Sequence, residues 1–222
     1  MASAIWQNAN IPIGNIKIEP KTIIFKNQVG YKLILMKDIY EIIFHARAGQ
    51  GAKSAAQFIA ETALKEGKEM QAFPEYGPER TGAPMRSFVR ISEREIRSFE
   101  PIVHPDAIII LDSSIVGSVD VLAGATKDTL IILNTGCNPK ECIPEKDLVG
   151  ELHTIDATAI SVGILGRNIP NLIMAAAWIK LTKKIKFEDF IGKVRETFEP
   201  KIGKEKTEKN IQAMKKAYEE MK

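Results

Sequence analysis

The chain has 222 residues, 45% of them hydrophobic, with 15 Gly, 11 Pro and a formal net charge of +3, which fits one α/β domain with or without an appendage. No apolar run approaches the roughly 18 residues of a membrane span, and the opening MASAIWQNANIPIG lacks a signal peptide's basic start and apolar stretch, so a cytoplasmic protein with no membrane partner is expected. Residues 201–222 hold seven Lys and four Glu, the whole of the excess charge, alternating as on a solvated helix face, so no nucleic-acid partner is expected.

Residues 1–35 differ in character from the rest of the chain. IKIEPKTIIFKNQVGYKLIL has the makings of short strands, but Pro and Gly interrupt it and no partner pattern is evident. Met36 opens MKDIYEIIFHARAGQG, where a first core strand would naturally begin. Residues 1–35 therefore read as a non-core extension, which a start codon chosen too early would account for, and residues 36–222 as the functional domain.

From residue 39 strands and helices alternate. IYEIIFHA is β-rich, and GAKSAAQFIAETALKEG is helical, with Ala52, Ala55, Ala56, Ile59, Ala63 and Leu64 on one apolar face and Gly67 as its C-terminal cap. KEMQAFPEYG reads as a strand broken by Pro74. In PMRSFVRIS, Met85, Ser87, Val89 and Ile91 alternate with Arg86, Phe88 and Arg90, the pattern of an antiparallel or edge strand. HPDAIIILDSS and TLIILNTG are buried strands, ending in Asp112, Ser113 and Ser114 and in Asn134, Thr135 and Gly136. ELHTIDATAISVGILG leads into NIPNLIMAAAWIKLTKKI, a helix so apolar that it must be buried, with another subunit as one candidate cover. FEDFIGKVRETF and KEKTEKNIQAMKKAYEEMK are amphipathic closing helices. The expected fold is a three-layer, Rossmann-like α/β domain with a mostly parallel sheet and C-terminal helices.

The turn in HARAGQGAKSAAQ has the outline of a phosphate cradle, a strand passing through glycines into a helix. A dinucleotide fingerprint needs three spaced glycines and an acidic residue about 20 positions on. Here Gly49 and Gly51 are placed correctly but the third position is Ser54, and the acidic candidate, Glu75, comes directly after Pro74. No GxxxxGK[ST] occurs. A tight strand-to-helix turn is the simpler reading, with a stand-alone nucleotide-binding module as the alternative.

The next polar stretch is EYGPERTGAPMRSFVR, whose prolines and glycines mark a shaped loop. Arg80 and Arg86 carry planar forks suited to phosphate or carboxylate; pairing with Glu75 and Glu79 is the competing reading. His45 is a candidate base without a nucleophile or orienting partner, and His104 before Pro105 is a strand lead-in. Asp112, Ser113 and Ser114 sit where α/β sheets place ligands, or cap the next helix. Cys137 and Cys142 are too few for an iron–sulfur cluster or a structural zinc site; reduced thiols in a loop are expected, although spacing leaves a disulfide open. No metal site and no complete catalytic set are expected in this chain alone.

Together, FHARAGQGAKSAAQFIAETA and QAFPEYGPERTGAPMRSFVRIS closely resemble the gamma subunit of 2-oxoacid:ferredoxin oxidoreductases, the pyruvate enzymes above all. The resemblance covers about residues 38–215 and has no counterpart for residues 1–35. It implies a non-autonomous subunit of an enzyme that converts a 2-oxoacid and coenzyme A reversibly to acyl-CoA and CO2 while reducing ferredoxin. It implies alpha, beta and delta subunits as partners, thiamine diphosphate with Mg2+ between alpha and beta, and [4Fe–4S] clusters in delta. 2-Oxoglutarate, branched-chain and aryl 2-oxoacids remain alternative substrates. Within this chain it implies that Arg47, Gly49, Gln50, Gly51, Glu75, Tyr76, Arg80, Thr81 and Arg86 line the active-site cleft or contact coenzyme A or a partner.

Overall fold

The computed structural model describes residues 22–27, 30–35, 39–75, 82–98 and 100–222. The chain divides into a unit of residues 1–38 and one of residues 39–222, three residues beyond the boundary expected from sequence. In the first unit, β1 (Thr22–Asn27) and β2 (Gly30–Leu35) pair antiparallel, Thr22 opposite Leu35 and Asn27 opposite Gly30. The partner that the sequence pattern did not reveal for each strand is therefore the other.

The second unit contains a six-stranded sheet in the order β4-β5-β3-β6-β7-β8. Its strands are β3 (Ile39–Arg47), β4 (Glu69–Glu75), β5 (Pro84–Ser92), β6 (Ala107–Ile110), β7 (Leu130–Asn134) and β8 (Glu151–Ile155). β3, β6, β7 and β8 run parallel, while β5 is antiparallel to both β3 and β4. Three of the five pairings are parallel, so the mostly parallel sheet is present with an antiparallel wing. Pro74 does not break the second strand. β4 runs through it to Glu75, because β4 is an edge strand and an edge tolerates a residue without an N–H.

The helices are α1 (Ala52–Lys65), α2 (Pro139–Cys142), α3 (Ala157–Leu165), α4 (Asn171–Thr182), α5 (Phe187–Ile202) and α6 (Lys204–Glu220). One sheet face, carrying Ile42, Phe44, Val89 and Ile109, packs against α1, α3, α4, α5 and α6. The other face of the parallel strands, carrying Ile108, Ile110, Ile131 and Leu133, is covered by thinner structure: a 3-10 turn at Ser113–Ile115, Val121 and Ile143 just after α2. Under the antiparallel wing, Ile43, Phe88 and Phe73 close around Ile102.

Local signals explain the helix ends. Gly67, at φ 81°, lies just past α1; its N–H donates to Leu64 O, and that of Lys68 to Ala63 O. This is the glycine-terminated ending expected there. Leu64, expected on the apolar face, is instead exposed, and Phe58 and Ala60 are buried in its place. The face is rotated by the need to pack against both the sheet and α5. α4 is buried from Asn171 to Ile179, as its composition demands, but the cover is its own chain: it contacts α1, α3, α5, α6 and β7. No second subunit is needed to shield it.

Arg90 ties the antiparallel wing together. Its side chain is 2% exposed, its Nε donates to Glu41 Oε1 at 3.0 Å, and its other nitrogens donate to Gln71 Oε1 and to the carbonyls of Ser98 and Glu100. The guanidinium also lies 5.7 Å from the centroid of the Phe73 ring. A buried charge so surrounded is costly to orphan. Arg90→Ala is expected to destabilise the subunit by about 3–5 kcal/mol, by removing one partner of a buried ion pair, as read by urea unfolding.

Candidate functional site

The parallel strands β3, β6, β7 and β8 end along one edge of the sheet, the position where α/β folds place ligands. The glycine turn lies there. Gly49 (φ 102°) and Gly51 (φ 82°) both occupy the left-handed region, which glycine enters without a steric penalty. Gly51 is the N-cap of α1, and the amide of Asn171 fills the space that a Cβ on Gly51 would take. Asn171 Nδ2 also donates to Gly51 O at 3.2 Å. The turn is thus closed from below by α4. Its glycines serve a tight strand-to-helix turn and a close approach within this chain.

Above the turn, side chains from the ends of β3 and β6 converge with a backbone carbonyl ahead of β5. Arg47 Nε donates to Ser114 Oγ at 3.0 Å, and its Nη1 donates to Gly82 O at 3.0 Å. Its Nη2 donates to Ser114 Oγ at 2.9 Å, and its Nε lies 3.6 Å from Asp112 Oδ2. Gln50 bridges the turn to β6: its Oε1 accepts from Arg47 N at 2.7 Å and its Nε2 donates to Asp112 Oδ2 at 2.7 Å. Only that orientation of the amide satisfies both neighbours. Two backbone bonds, Ala48 N to Ala83 O and Gly82 N to Ala48 O, stitch the start of β5 to the turn.

Asp112 resolves its two sequence readings in favour of a cap. Its side chain accepts from Ser114 N at 2.9 Å and caps the 3-10 turn Ser113–Ile115. Partial burial pushes its carboxyl up, but hydrogen bonds from Ser114 and Gln50 and the Arg47 charge outweigh that and hold it below the ordinary aspartate value. The carboxylate is ionised at neutral pH.

Arg86 takes the pairing alternative. It faces Glu75 across β4 and β5 and donates two hydrogen bonds to it, at 2.6 and 3.0 Å, with both side chains partly exposed. Tyr76, Arg80 and Thr81 lie outside the described residues, as does Glu79. Of the expected site residues, the structure therefore brings Arg47, Gly49, Gln50 and Gly51 together and places Glu75 and Arg86 on the adjoining wing.

Several members of this edge were not singled out from sequence. Asn134, buried at the end of β7, donates to Leu111 O at 2.8 Å and to Thr158 Oγ1 at 2.9 Å. Asp156 caps α3 through Ala159 N at 2.7 Å and leaves no room for a side chain at Gly136. Asn171 left one visible signal, a polar residue opening an otherwise apolar helix. Cys137 is exposed and Cys142 half-buried in the short helix α2, and both are free. At the opposite edge, Tyr40, Asp106, Glu151, His153 and Lys184 help to line an open cavity of about 330 Å3 that contains none of the expected site residues.

His45 is 4% exposed and sits two residues before the end of β3. Burial, helped by the Arg86 charge, lowers its pKa to about 4. It is therefore neutral at physiological pH. Among the described residues no three His, Cys, Asp or Glu side chains are grouped to hold a metal, and no helix is long and apolar enough to cross a membrane.

The family model described as pyruvate ferredoxin/flavodoxin oxidoreductase matches residues 41–220. The chain belongs to this family. It is 41% identical over 183 residues to pyruvate synthase subunit PorC of Methanothermobacter marburgensis, covering 82% of this chain and 97% of that one. It is likewise 41% identical over 179 residues to the pyruvate/ketoisovalerate oxidoreductases common subunit gamma of Thermococcus kodakarensis, covering 80% and 95%. The crystal structure of pyruvate oxidoreductase subunit PORC from Thermotoga maritima superposes with a TM-score of 0.74 at 36% identity, covering 84% of this chain and 98% of that one. The resemblance carried by the glycine turn and the EYGPERTGAPMR stretch is borne out. Within the family this is a gamma-type oxidoreductase subunit of the pyruvate synthase kind.

The geometry makes two outcomes measurable. Gly51→Ala is expected to cost about 1–3 kcal/mol, from a left-handed alanine whose Cβ meets Asn171, and thermal unfolding reads it directly. His45 binds a proton more readily unfolded than folded, so its contribution is complete above pH 6.5 and fades as pH falls toward 4. Between pH 7 and 4.5 it should remove about 2 kcal/mol of unfolding free energy, a loss absent from His45→Leu.

Proposed function

We propose that this chain serves a pyruvate:ferredoxin oxidoreductase complex as a ligand-lining gamma subunit, presenting its carboxyl-end edge to an active centre held mainly by partner subunits. The reaction so supported is the reversible CoA-dependent oxidative decarboxylation of pyruvate to acetyl-CoA and CO2, with electrons passing to ferredoxin. The observation that carries the reading is the convergence of the Arg47–Gly51 turn, Gly82 and Asp112–Ser114 at the ends of the parallel strands. A structured polar edge of this kind is suited to contributing contacts to a ligand.

The donor set of this chain supports a reading in which the cofactors are held elsewhere. Two cysteines do not supply the four thiolates of a [4Fe–4S] cluster, and among the described residues no three His, Cys, Asp or Glu side chains are grouped as metal ligands. On this reading thiamine diphosphate, Mg2+ and the clusters are held by alpha, beta and delta partners. Coenzyme A is the ligand proposed for this edge, with Arg47, Gln50 and the turn glycines shaping the lining and the loop from Glu75 to Arg86, including Tyr76, Arg80 and Thr81, offering the contacts. Arg86 also has Glu75 as an intramolecular partner.

A second substrate reading has a specific support. The Thermococcus kodakarensis relative is named as common to pyruvate and ketoisovalerate enzymes, which fits a gamma subunit that does not choose the 2-oxoacid. The test is the reconstituted complex carrying Arg80→Ala and Arg86→Ala. A rise in KM for coenzyme A or a loss of assembly is expected, and unchanged values of both would remove both roles. A panel of 2-oxoacids given to the same complex fixes the substrate.

A further inference from the structure

Arg47 is a half-exposed cation on the glycine turn, and a surface arginine beside a ligand edge invites reading as an anion contact. Its hydrogen bonds point another way. Three of its nitrogens already donate within the chain: Nε and Nη2 to Ser114 Oγ, and Nη1 to Gly82 O. Asp112 lies 3.6 Å away as counter-ion. Asp112 in turn holds Gln50 through Nε2, and Gln50 holds the backbone N–H of Arg47 through Oε1, both at 2.7 Å. The carboxylate thus grips the turn twice, through the guanidinium and through the main chain.

Resting on the reading of this edge as part of the active centre, we infer that Asp112 is a positioning residue for the coenzyme A step, acting through Gln50 and Arg47 to fix the turn. Each side chain in the relay has a task the others do not cover. Gln50 sets the backbone direction as β3 leaves the sheet. Arg47 joins β6 at Ser114 to the start of β5 at Gly82. Asp112, ordered by its own bond from Ser114 N, supplies the fixed end. A ligand meeting this turn therefore meets a surface whose shape is set one strand away.

The direct-contact alternative makes the opposite prediction in sign. If Arg47 grips the ligand's anion itself, Asp112 competes with that anion, and Asp112→Asn frees the guanidinium and lowers KM. If Asp112 positions the turn, Asp112→Asn raises KM for coenzyme A about tenfold, the factor that loss of one charge-assisted hydrogen bond carries, with kcat held. Arg47→Lys, which keeps the charge and loses the fork, raises it similarly, while Asp112→Glu restores part of the loss.

The experiment pairs steady-state kinetics of the reconstituted complex with hydrogen exchange of the amides at residues 48–52. Ser114→Ala, which removes the hydroxyl that accepts from Arg47 Nε and Nη2 but keeps the main-chain bond to Asp112, serves as the second variant should Asp112→Asn fail to fold. Faster exchange at 48–52 together with the KM rise supports the inference. Lowered KM in Asp112→Asn overturns it in favour of direct contact, and unchanged exchange in both variants overturns the coupling itself. Faster exchange with unmoved KM overturns instead the placement of this edge at the active centre.

Discussion

A helix that is apolar on every side has to be surrounded, and α4 sets the terms for the helical layer. Leu172, Ile173, Met174, Trp178 and Ile179 are all at most 3% exposed, so no face of this helix meets water between Asn171 and Ile179. Burying such side chains contributes about 1.5–3 kcal/mol each, far more than any surface pair. The sheet covers one side through β7, and α1, α3, α5 and α6 supply the rest. The amphipathic closing helices are therefore part of the core's wall. The same enclosure brings Asn171, at the start of α4, up beneath Gly51, so the packing of the helical layer reaches the glycine turn.

Much of this was legible in the residues. Periods of two and 3.6, together with the continuous Ile/Leu runs of β6 and β7, are strong local signals, and Gly67 ended α1 as its chemistry requires. Where the reading differed from the structure, the deciding information was tertiary. Whether Pro74 breaks a strand depends on whether that strand has one neighbour or two. Whether Leu64 is buried depends on the angle at which α1 meets α5. Another subunit was a candidate cover for α4 because no local pattern reveals that α5 and α6 fold back over it.

The site was legible in part for the same reason. The glycines and the polar loop stand out by composition, but hydrogen bonds such as Gln50 to Asp112 span 62 positions and leave no spacing to find. Ionic partners were also ambiguous: Arg86 had two acidic candidates nearby, and the register of β4 against β5 selects Glu75.

Pro74 has a further consequence. A sheet that ends in a bare strand can be lengthened by a strand from a neighbouring copy, and proteins held together in large complexes are crowded at high local concentration. Here the outermost strand lacks one donor at Pro74 and carries exposed carboxylates at both ends, Glu69 and Glu75. Those features blunt edge-to-edge growth. The proline that looked like an interruption of the sheet acts as its terminus, leaving copies of the subunit free to join their proper partners.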